Sequence, residues 1–453
     1  MFHPEKNHIH FVGIGGIGMS AIAEILMFEG YQVSGSDIRP TPLTERLTKS
    51  GATIFFTHEG HHVNDANVVV YSSAIDSDNC ELTSAKANNI PVIHRAEMLA
   101  EIVRRRFSIA ISGSHGKTST TAIMGEILSH ANMHPSIVIG GILKNISTNA
   151  KSGKGDYIVL EADESDGSLL NLYPSIAIIT NVDQEHMDHY GSMENVYQAF
   201  LTFANRPPFY GATVICADDP VLRSFIPKLN ARCLTYGIEN SAHVMAKNIK
   251  QIAPFQMTFD LVYKNKIIDN IRLNLAGYHN VLNALASIAA SIVLDIPFSI
   301  QKKALELTEG VQRRMDIKGE KGQVLVMDDY GHHPTEIIAT LKAIKSGWPD
   351  RHLWVFFQPH RYSRTQDLFD QFASAFDLAD RVILLPIYSA GESPIESISS
   401  EQLCKAMKKN LSNRVSFAEN FEQAIEQIDS HQKILLLTLG AGDIWKAGDL
   451  FLC

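Results

Sequence analysis

Phe107-Ser-Ile-Ala-Ile-Ser-Gly-Ser-His-Gly-Lys-Thr-Ser-Thr-Thr121 reads as an apolar strand, a turn punctuated by Gly113 and Gly116, and a helix from Ser119 to His130. That order gathers backbone N–H groups, a helix N-terminus and the Lys117 ammonium around one small volume, as a nucleotide polyphosphate requires. The usual phosphate loop, G-x-x-x-x-G-K-[ST], has a glycine five residues before its second one. Here that position is Ile111, and the only upstream glycine of the turn is Gly113. The loop is a shortened one, and an ordinary strand-turn-helix corner with a surface lysine is the bland alternative.

Working outward, 453 residues are too many for one core and suggest about three domains. Apolar and charged fractions of 45% and 20% are those of a soluble globular protein. A formal net charge of −9 gives no reason to expect nucleic acid or an anionic membrane as partner. No apolar run approaches the roughly 20 residues of a spanning helix, and Met1-Phe-His-Pro-Glu-Lys-Asn7 lacks a signal-peptide core. Cys80, Cys216, Cys233, Cys404 and Cys453 form no C-x-x-C pair, which fits reduced thiols and a cytoplasmic setting.

Short apolar runs alternate with amphipathic ones along the first hundred residues: strand His10–Val12, helix Ile17–Phe28, strand Tyr31–Val33, then strands at Asn67–Tyr71 and Pro91–Ile93. The pattern predicts a parallel sheet with helices on both faces. A helix over Glu97–Arg106 ends in Arg104, Arg105 and Arg106, read as a solvated basic terminus. A second α/β block starts at Ser108, with buried strands at Tyr157–Leu160 and Ile176–Ile179. Alternating strands between Ala242 and Leu275 (Gln256–Tyr263, Ile271–Leu275) precede a helix over Asn280–Leu294. A third block from about Val311 has strands at Val324–Met327, Leu353–Phe357, Arg381–Leu385 and Ile434–Thr438.

Four further constellations sit at predicted strand ends, where ligands gather in open α/β sheets. Gly13-Ile-Gly15-Gly16-Ile-Gly18 opens a helix and has Asp37 after the next strand, the fingerprint of a diphosphate ligand, with the acid placed for a ribose hydroxyl. Glu161-Ala-Asp-Glu-Ser-Asp166 follows a strand beside the Lys117 loop. Its carboxylate with the Thr118 hydroxyl can serve a hard cation such as Mg²⁺, or the run can merely cap a helix. Thr180-Asn-Val-Asp-Gln-Glu-His186-Met-Asp188-His189 joins imidazoles to carboxylates, for metal or phosphate contact. Gln312-Arg-Arg314, Asp328-Asp-Tyr-Gly-His332-His-Pro334 and Gln358-Pro-His-Arg361-Tyr-Ser-Arg364 suggest anion recognition, with a structural ion-pair cluster as the alternative. Asn280, in Gly277-Tyr-His-Asn280, could be no more than a helix cap. No G-x-S-x-G occurs, so acyl-enzyme chemistry has no support.

Taken in order over the whole chain, these motifs resemble the Mur ligases, the ATP-dependent amide ligases that build the peptidoglycan stem peptide. The alanine-adding branch is the most similar. The murein-tripeptide recycling branch shares the Lys117 loop but differs at the first glycine loop and at Ser165, where a tyrosine is expected. The resemblance implies an α/β protein of three domains. These are a Rossmann-like N-terminal domain (1–107), a central P-loop-type ATPase domain with a mostly parallel sheet (108–310) and a C-terminal Rossmann-like α/β domain (311–453).

By the same resemblance Gly13, Gly15, Gly16, Gly18, Met19, Ser20, Asp37, Ser72 and Ser73 hold UDP-N-acetylmuramate. Gly113, Ser114, His115, Gly116, Lys117, Thr118, Ser119, Asn280, Arg314 and Asp329 hold ATP. Thr118 and Glu161 would bind one Mg²⁺ and His186 a second metal, with Mn²⁺ as substitute, and Lys117, His186, His332, Arg361 and Arg364 would be catalytic. L-Alanine is the implied amine, domain closure the implied motion, and a monomer or homodimer the implied assembly. Ser114 and Ser119 replace common threonines but keep a hydroxyl. Tyr190–Gly211 contains no lysine, so a carbamylated-lysine metal bridge there is not expected. Two other readings are a nicotinamide oxidoreductase using the Gly13 loop, which leaves Lys117, Glu161 and His186 without purpose, and a non-catalytic nucleotide sensor.

Overall fold

The computed structural model describes residues 7–144, 148–429 and 431–453, so Met1–Lys6 of the start read above lie outside it, and Asp188 is described by its backbone alone. The chain forms two compact units that interleave in sequence. One is Met1–Met245 with Val262–Ile267 and Leu282–Leu305; the other is Ala246–Leu261, Ile268–Val281 and Glu306–Cys453.

The first unit carries two α/β sheets. In the N-terminal one, strands Thr53–Phe55, Gln32–Ser36, His8–Val12, Val68–Tyr71 and Val92–His94 lie side by side in that order, all parallel. The order reverses at His8–Val12, so the Gly13–Gly18 loop leaves the sheet at its switch point. Ile9, Phe11, Val12, Val33, Val69 and Val70 are buried, as strands covered on both faces require. The helix after the loop spans Ile17–Phe28, as the sequence predicts.

In the central sheet the order is Cys233–Gly237, Ala212–Cys216, Ile176–Ile179, Phe107–Ser112, Tyr157–Glu161, Ser136–Leu143, Thr148–Lys151. Only the last pairing is antiparallel. Phe107–Ser112 is flanked by Ile176–Ile179 and Tyr157–Glu161, so the turns after all three strands emerge side by side.

Polar contacts tie these two domains into one unit. Asn149 Nδ2 donates to the Ile17 carbonyl (2.5 Å) and Ser20 Oγ (3.2 Å), and Arg95 Nη2 reaches Asp166 (3.0 Å) and Asp163 (3.5 Å). Of the basic helix end, Arg104 and Arg105 are exposed as expected, with Arg105 pairing to Glu29 (2.7 Å), whereas Arg106 is half-buried, pairing to Glu29 (2.9 Å) and donating to Ser136 Oγ (2.5 Å). Their helix runs Arg95–Arg104, two residues earlier than predicted, because His94 and Glu97 form a reciprocal cap.

The second unit holds a six-stranded sheet ordered Asp316–Lys321, Val324–Asp329, Ile434–Leu439, His352–Phe357, Arg381–Leu384, Val415–Phe417, parallel except for the first hairpin. Alternate residues of Ile434–Leu439 enter different cores: Leu435, Leu437 and Leu439 pack with Met327 and Phe357, whereas Ile434 and Leu436 pack with Val326 and Phe356. That two-residue period marks a strand buried on both faces.

The strand excursion predicted after Ala242 is a meander of Val244–Ala253, Gln256–Tyr263 and Lys266–Leu273. Within the second unit, its Phe255 ring stands edge-on to Trp348 at 5.0 Å, and Gln251 Nε2 donates to the Ala343 carbonyl (3.4 Å). Among the described residues no helix is long and apolar enough to cross a membrane, and the five cysteines are free thiols.

Candidate active site

The Lys117 loop joins strand Phe107–Ser112 to helix Lys117–His130, which starts two residues before the predicted Ser119. The reason is Gly116. It caps the helix at φ +82, a left-handed conformation, and a Cβ there would stand 2.5 Å from Asn283 Oδ1. No side chain caps the helix, so its first amides remain directed at the loop's interior. The neighbouring strand end braces the loop. Ser114 N donates to the Asn181 carbonyl (3.1 Å), His115 N to Asn181 Oδ1 (2.9 Å), and Thr180 Oγ1 to the His115 carbonyl (2.6 Å). Ser114 Oγ accepts from Asp183 N (2.8 Å), and His115 Nε2 lies 3.2 Å from Asp183 Oδ2. Thr118 and Ser119, both half-buried, open the helix behind Lys117.

Lys117 Nζ donates to the Gly113 carbonyl (2.6 Å), the Ser114 carbonyl (3.2 Å) and Glu164 Oε1 (2.6 Å). Burial alone would lower its pKa, but the Glu164 carboxylate, with Glu185 and Glu161 beyond it, outweighs that and holds the ammonium above its ordinary pKa. The group is a fixed positive charge.

Glu164 itself is buried, and its Oε2 has no hydrogen-bond partner among the described residues. His186 Nε2 lies 3.6 Å from Glu164 Oε1 and 3.7 Å from Glu185 Oε2. Glu164, Glu185 and His186 each bring one ligand atom within 4.8 Å of the others. His186 is held at φ +58, an uncommon conformation for a residue with a side chain, just before the short helix Met187–Tyr190. Glu161 is the last residue of its strand, which runs one residue past the expected Leu160, and there its Oε1 accepts from Gly140 N (2.7 Å). The structure therefore gathers His186 with Glu164 and Glu185, two carboxylates that a strand-end rule does not single out. The usable signal was chemical: Glu185 adjoins His186, and Glu164 lies within the same acidic run.

At the N-terminal loop, Gly13 N and Ile14 N donate to the Ser36 carbonyl (2.9 and 3.0 Å), and Gly15 N to Asp37 Oδ2 (2.8 Å). A Cβ on Gly15 would meet that carboxylate oxygen at 2.7 Å. Asp37 Oδ1 accepts from Ile38 N (2.8 Å), so the acid's visible work is to fix the loop. Gly16 and Gly18 flank the start of helix Ile17–Phe28. Met19 and Ser20 are buried in packing, and Ser20 Oγ donates to the Ile17 carbonyl (3.0 Å). Ser72 and Ser73 follow strand Val68–Tyr71, with Ser72 Oγ near Gly13.

In the second unit, the segments after strands Val324–Asp329, Ile434–Leu439 and His352–Phe357 share one sheet edge. Asp329 accepts from Met315 N and Gly331 N, both at 2.8 Å, and burial pushes its carboxyl up to about 6 despite those bonds and nearby Arg314. Arg314 Nη1 donates to Glu336 Oε1 (3.3 Å) and its guanidinium lies 5.4 Å from the Tyr330 ring centroid. Asn280 Nδ2 donates to the Ala276 carbonyl (2.8 Å), beside a His279 that burial and Arg314 push down to about 4.

His332, Arg361 and Arg364 meet around His360. The His332 ring lies 5.9 Å from His360, Tyr388 stacks on His360 at 5.7 Å, and Arg364 Nη1 donates to His360 Nδ1 (3.2 Å). Burial, then His332 and the arginines, push His360 down to about 3. A neutral imidazole that accepts from Arg364 is the result. Arg361 has φ +70 and lies 3.6 Å from Glu392 Oε1.

Two glycine loops, a lysine–carboxylate pair with a two-carboxylate–imidazole cluster, and an arginine–histidine edge can bind polyanions and move a phosphoryl group. The chain matches three family descriptions: "Mur ligase family, catalytic domain" over residues 8–107, "Mur ligase middle domain" over 111–291 and "Mur ligase, glutamate ligase domain" over 313–442. It is 49% identical over 450 residues to the UDP-N-acetylmuramate–L-alanine ligase of Desulfatibacillum aliphaticivorans, covering 99% of this chain and 98% of that one. The solved UDP-N-acetylmuramate-alanine ligase of Thermotoga maritima superposes with a TM-score of 0.83 at 30% identity, covering 98% of each chain. A MurF ligase from Thermotoga maritima, solved in complex with ADP, shares the fold at 15% identity and a TM-score of 0.63, over 93% of this chain and 94% of that one. This protein, three α/β domains in one chain, belongs to the Mur ligase family.

Proposed function

We propose that the protein joins L-alanine to the lactyl carboxylate of UDP-N-acetylmuramate at the expense of ATP, in peptidoglycan synthesis. The observation that carries this reading is the Lys117 loop with Glu164, Glu185 and His186 beside it, in a chain 49% identical end to end to an enzyme of that name. We divide it into a sugar-nucleotide domain (1–107), a nucleotide triphosphate domain (108–310) and an amino-acid domain (311–453).

The lactyl carboxylate oxygen attacks the γ-phosphorus of ATP, the bond to the β-γ bridging oxygen breaks, and ADP leaves. The alanine amine attacks the acyl phosphate carbonyl, inorganic phosphate departs, and the nitrogen loses a proton to leave an amide. Lys117 spreads positive charge over the transferring phosphoryl group, and the first amides of helix Lys117–His130 hold the phosphates. Asn280, Arg314 and Asp329 bind the nucleotide, while His332, Arg361 and Arg364 orient the carboxylate and the incoming amino acid. Catalysis is mainly positioning and charge.

The buried, unpartnered Glu164 Oε2, with an imidazole and a second carboxylate near it, fits Mg²⁺ or Mn²⁺. Glu164, Glu185 and His186 would hold the ion, with Thr118 and Glu161 alongside. When bound, such an ion would supply positive charge that offsets the negative charge of the phosphates.

The decisive assay is phosphate release from ATP that depends on both UDP-N-acetylmuramate and an amino acid, across L-alanine, glycine and L-serine. One methyl distinguishes alanine from glycine, worth about 1–3 kcal/mol, so a preference of roughly 10- to 200-fold is expected. Tight NAD(P) binding without ATP turnover would overturn the reading.

Two predictions arise here. Asp37→Ala should raise the KM for UDP-N-acetylmuramate by roughly 10-fold, because the loop loses the acceptor of its Gly15 amide. The KM for ATP should stay put, and an unchanged sugar KM would count against the assignment. If ionised Asp329 serves the nucleotide, kcat/KM for ATP should fall on an acid limb with an apparent pKa near 6. Unfolding by this group cannot mimic that limb. Its folded-state pKa lies above the ordinary 3.8, so its own contribution favours the folded state as pH drops from about 6 toward 4. Asp329→Asn should remove the limb, and a limb left in place assigns it elsewhere.

A further inference from the structure

Glu81 is a carboxylate wholly buried in the N-terminal domain, at the start of helix Cys80–Ala87. Around its carboxylate stand a hydroxyl and three imidazoles. Ser36 Oγ donates to Oε2 (2.5 Å), His58 Nδ1 lies 3.0 Å from Oε2, His62 Nδ1 2.9 Å from Oε1, and His10 Nε2 3.6 Å from Oε1. Beyond these, His8 and His10 share Ser34 Oγ at 2.7 Å each, and Glu59 pairs with His61. Burial raises the Glu81 carboxyl, but the donors of His10, Ser36, His58 and His62 outweigh it and hold the group down to about 2. These donors favour its ionised form. An ionised carboxylate in a core is costly where an apolar side chain would pack freely, so its position asks for a purpose.

The purpose is legible in what Ser36 does with its other end. The Ser36 carbonyl accepts both the Gly13 and Ile14 amides. The next residue, Asp37, takes the Gly15 amide. A second route runs through His62, whose ring stacks on Phe55 at 3.9 Å and 8°. The Phe55 carbonyl accepts the Asp37 amide (2.9 Å). Glu81 thus grips, from the core side, the strand end on which the whole glycine loop is hung.

We infer that Glu81 is a positioning residue for the sugar nucleotide, setting the Gly13–Gly18 loop through Ser36 and, by way of His62 and Phe55, through Asp37. It touches neither substrate nor reacting atoms. The inference rests on the reading that this loop holds the diphosphate of UDP-N-acetylmuramate.

The test uses the full-length enzyme. Glu81→Gln keeps the shape but replaces one acceptor oxygen by a donor, leaving at least one of the three close donors without a proper partner. KM and calorimetric Kd for UDP-N-acetylmuramate should rise about 10-fold or more, with kcat and KM for ATP within about twofold. Ser36→Ala, which keeps the carbonyl but loses the hydroxyl, should move the same constant the same way by a few-fold. If Glu81→Gln does not fold, Ser36→Ala and the rim variant His58→Gln carry the test.

A folded Glu81→Gln enzyme with an unchanged sugar KM overturns the inference. So does parallel loss of kcat and both KM values with a lowered Tm, the mark of a merely structural role. A raised KM in Glu81→Gln with none in Ser36→Ala overturns the route through Ser36. Wild-type calorimetry separates the two readings: no binding of UDP-N-acetylmuramate by the wild type sinks the function, whereas binding that Glu81→Gln leaves intact sinks only this role.

Discussion

Lys117→Ala should abolish ADP formation, by about 10³-fold or more in kcat, and leave UDP-N-acetylmuramate binding within about twofold of wild type. The size follows from charge. The ammonium is held at the loop by Glu164 and two loop carbonyls, so its positive charge is already in place before the phosphates arrive, and fixed charge of that kind counts most in the transition state. The selectivity follows from separate anchors. Loop 113–116 is braced by Thr180, Asn181 and Asp183, whereas loop 13–18 hangs on Ser36 and Asp37. The substitution also strands Glu164 as a buried, unpaired carboxylate, at a cost of about 3–5 kcal/mol if it stays ionised. The double variant Lys117→Ala/Glu164→Gln should recover much of that stability and none of the turnover. Coupled ADP release and calorimetry with the sugar nucleotide read the two halves. Surviving turnover would remove Lys117 from the phosphoryl site.

Where pattern and packing agree, sequence reading reached the structure. Helix Ile17–Phe28 and strand Gln256–Tyr263 fall on their predicted residues because each has a clear period and a clean stop. The Lys117 loop was legible because glycines, a lysine and a strand–helix junction must coincide there. Ser136–Leu143 was not read as a strand: Gly140 and Gly141 in its middle mimic a turn, and only pairing to Thr148–Lys151 and Tyr157–Glu161 keeps it extended.

Sequence gives a residue's address on a strand end but not the direction of its side chain. Asp37 turned inward to hold Gly15, Glu161 took the Gly140 amide, and Ser20 was buried against Asn149. Glu164, three residues beyond the strand end, came back to Lys117 because the chain reverses there, with Gly167 N donating to the Glu164 carbonyl (3.1 Å). The Glu81 cluster draws on four segments of the N-terminal domain, and nothing in their spacing announces it.

The contrast between Glu161 and Glu164 sets up the second large effect. Glu164→Gln is nearly isosteric, but it removes the charge that faces both Lys117 (2.6 Å) and His186 (3.6 Å). If Glu164 is a metal ligand, kcat should fall about 10²-fold or more, and half-saturation by Mg²⁺ should move up at least about 10-fold. Mn²⁺, which accepts nitrogen ligands more readily, should restore part of the rate through His186. Glu161→Gln should be milder, since that carboxylate accepts the Gly140 amide and its amide replacement can still accept it. The reverse ranking, with Glu161→Gln shifting the Mg²⁺ curve and Glu164→Gln only lowering kcat, would return the metal to the strand-end acid. Glu164 would then serve solely to hold the Lys117 ammonium. Magnesium titrations of the two variants, at saturating ATP and sugar nucleotide, decide between the two arrangements. Retained Mg²⁺ affinity in Glu164→Gln, Glu185→Gln and His186→Ala alike would exclude the cluster as a metal site altogether.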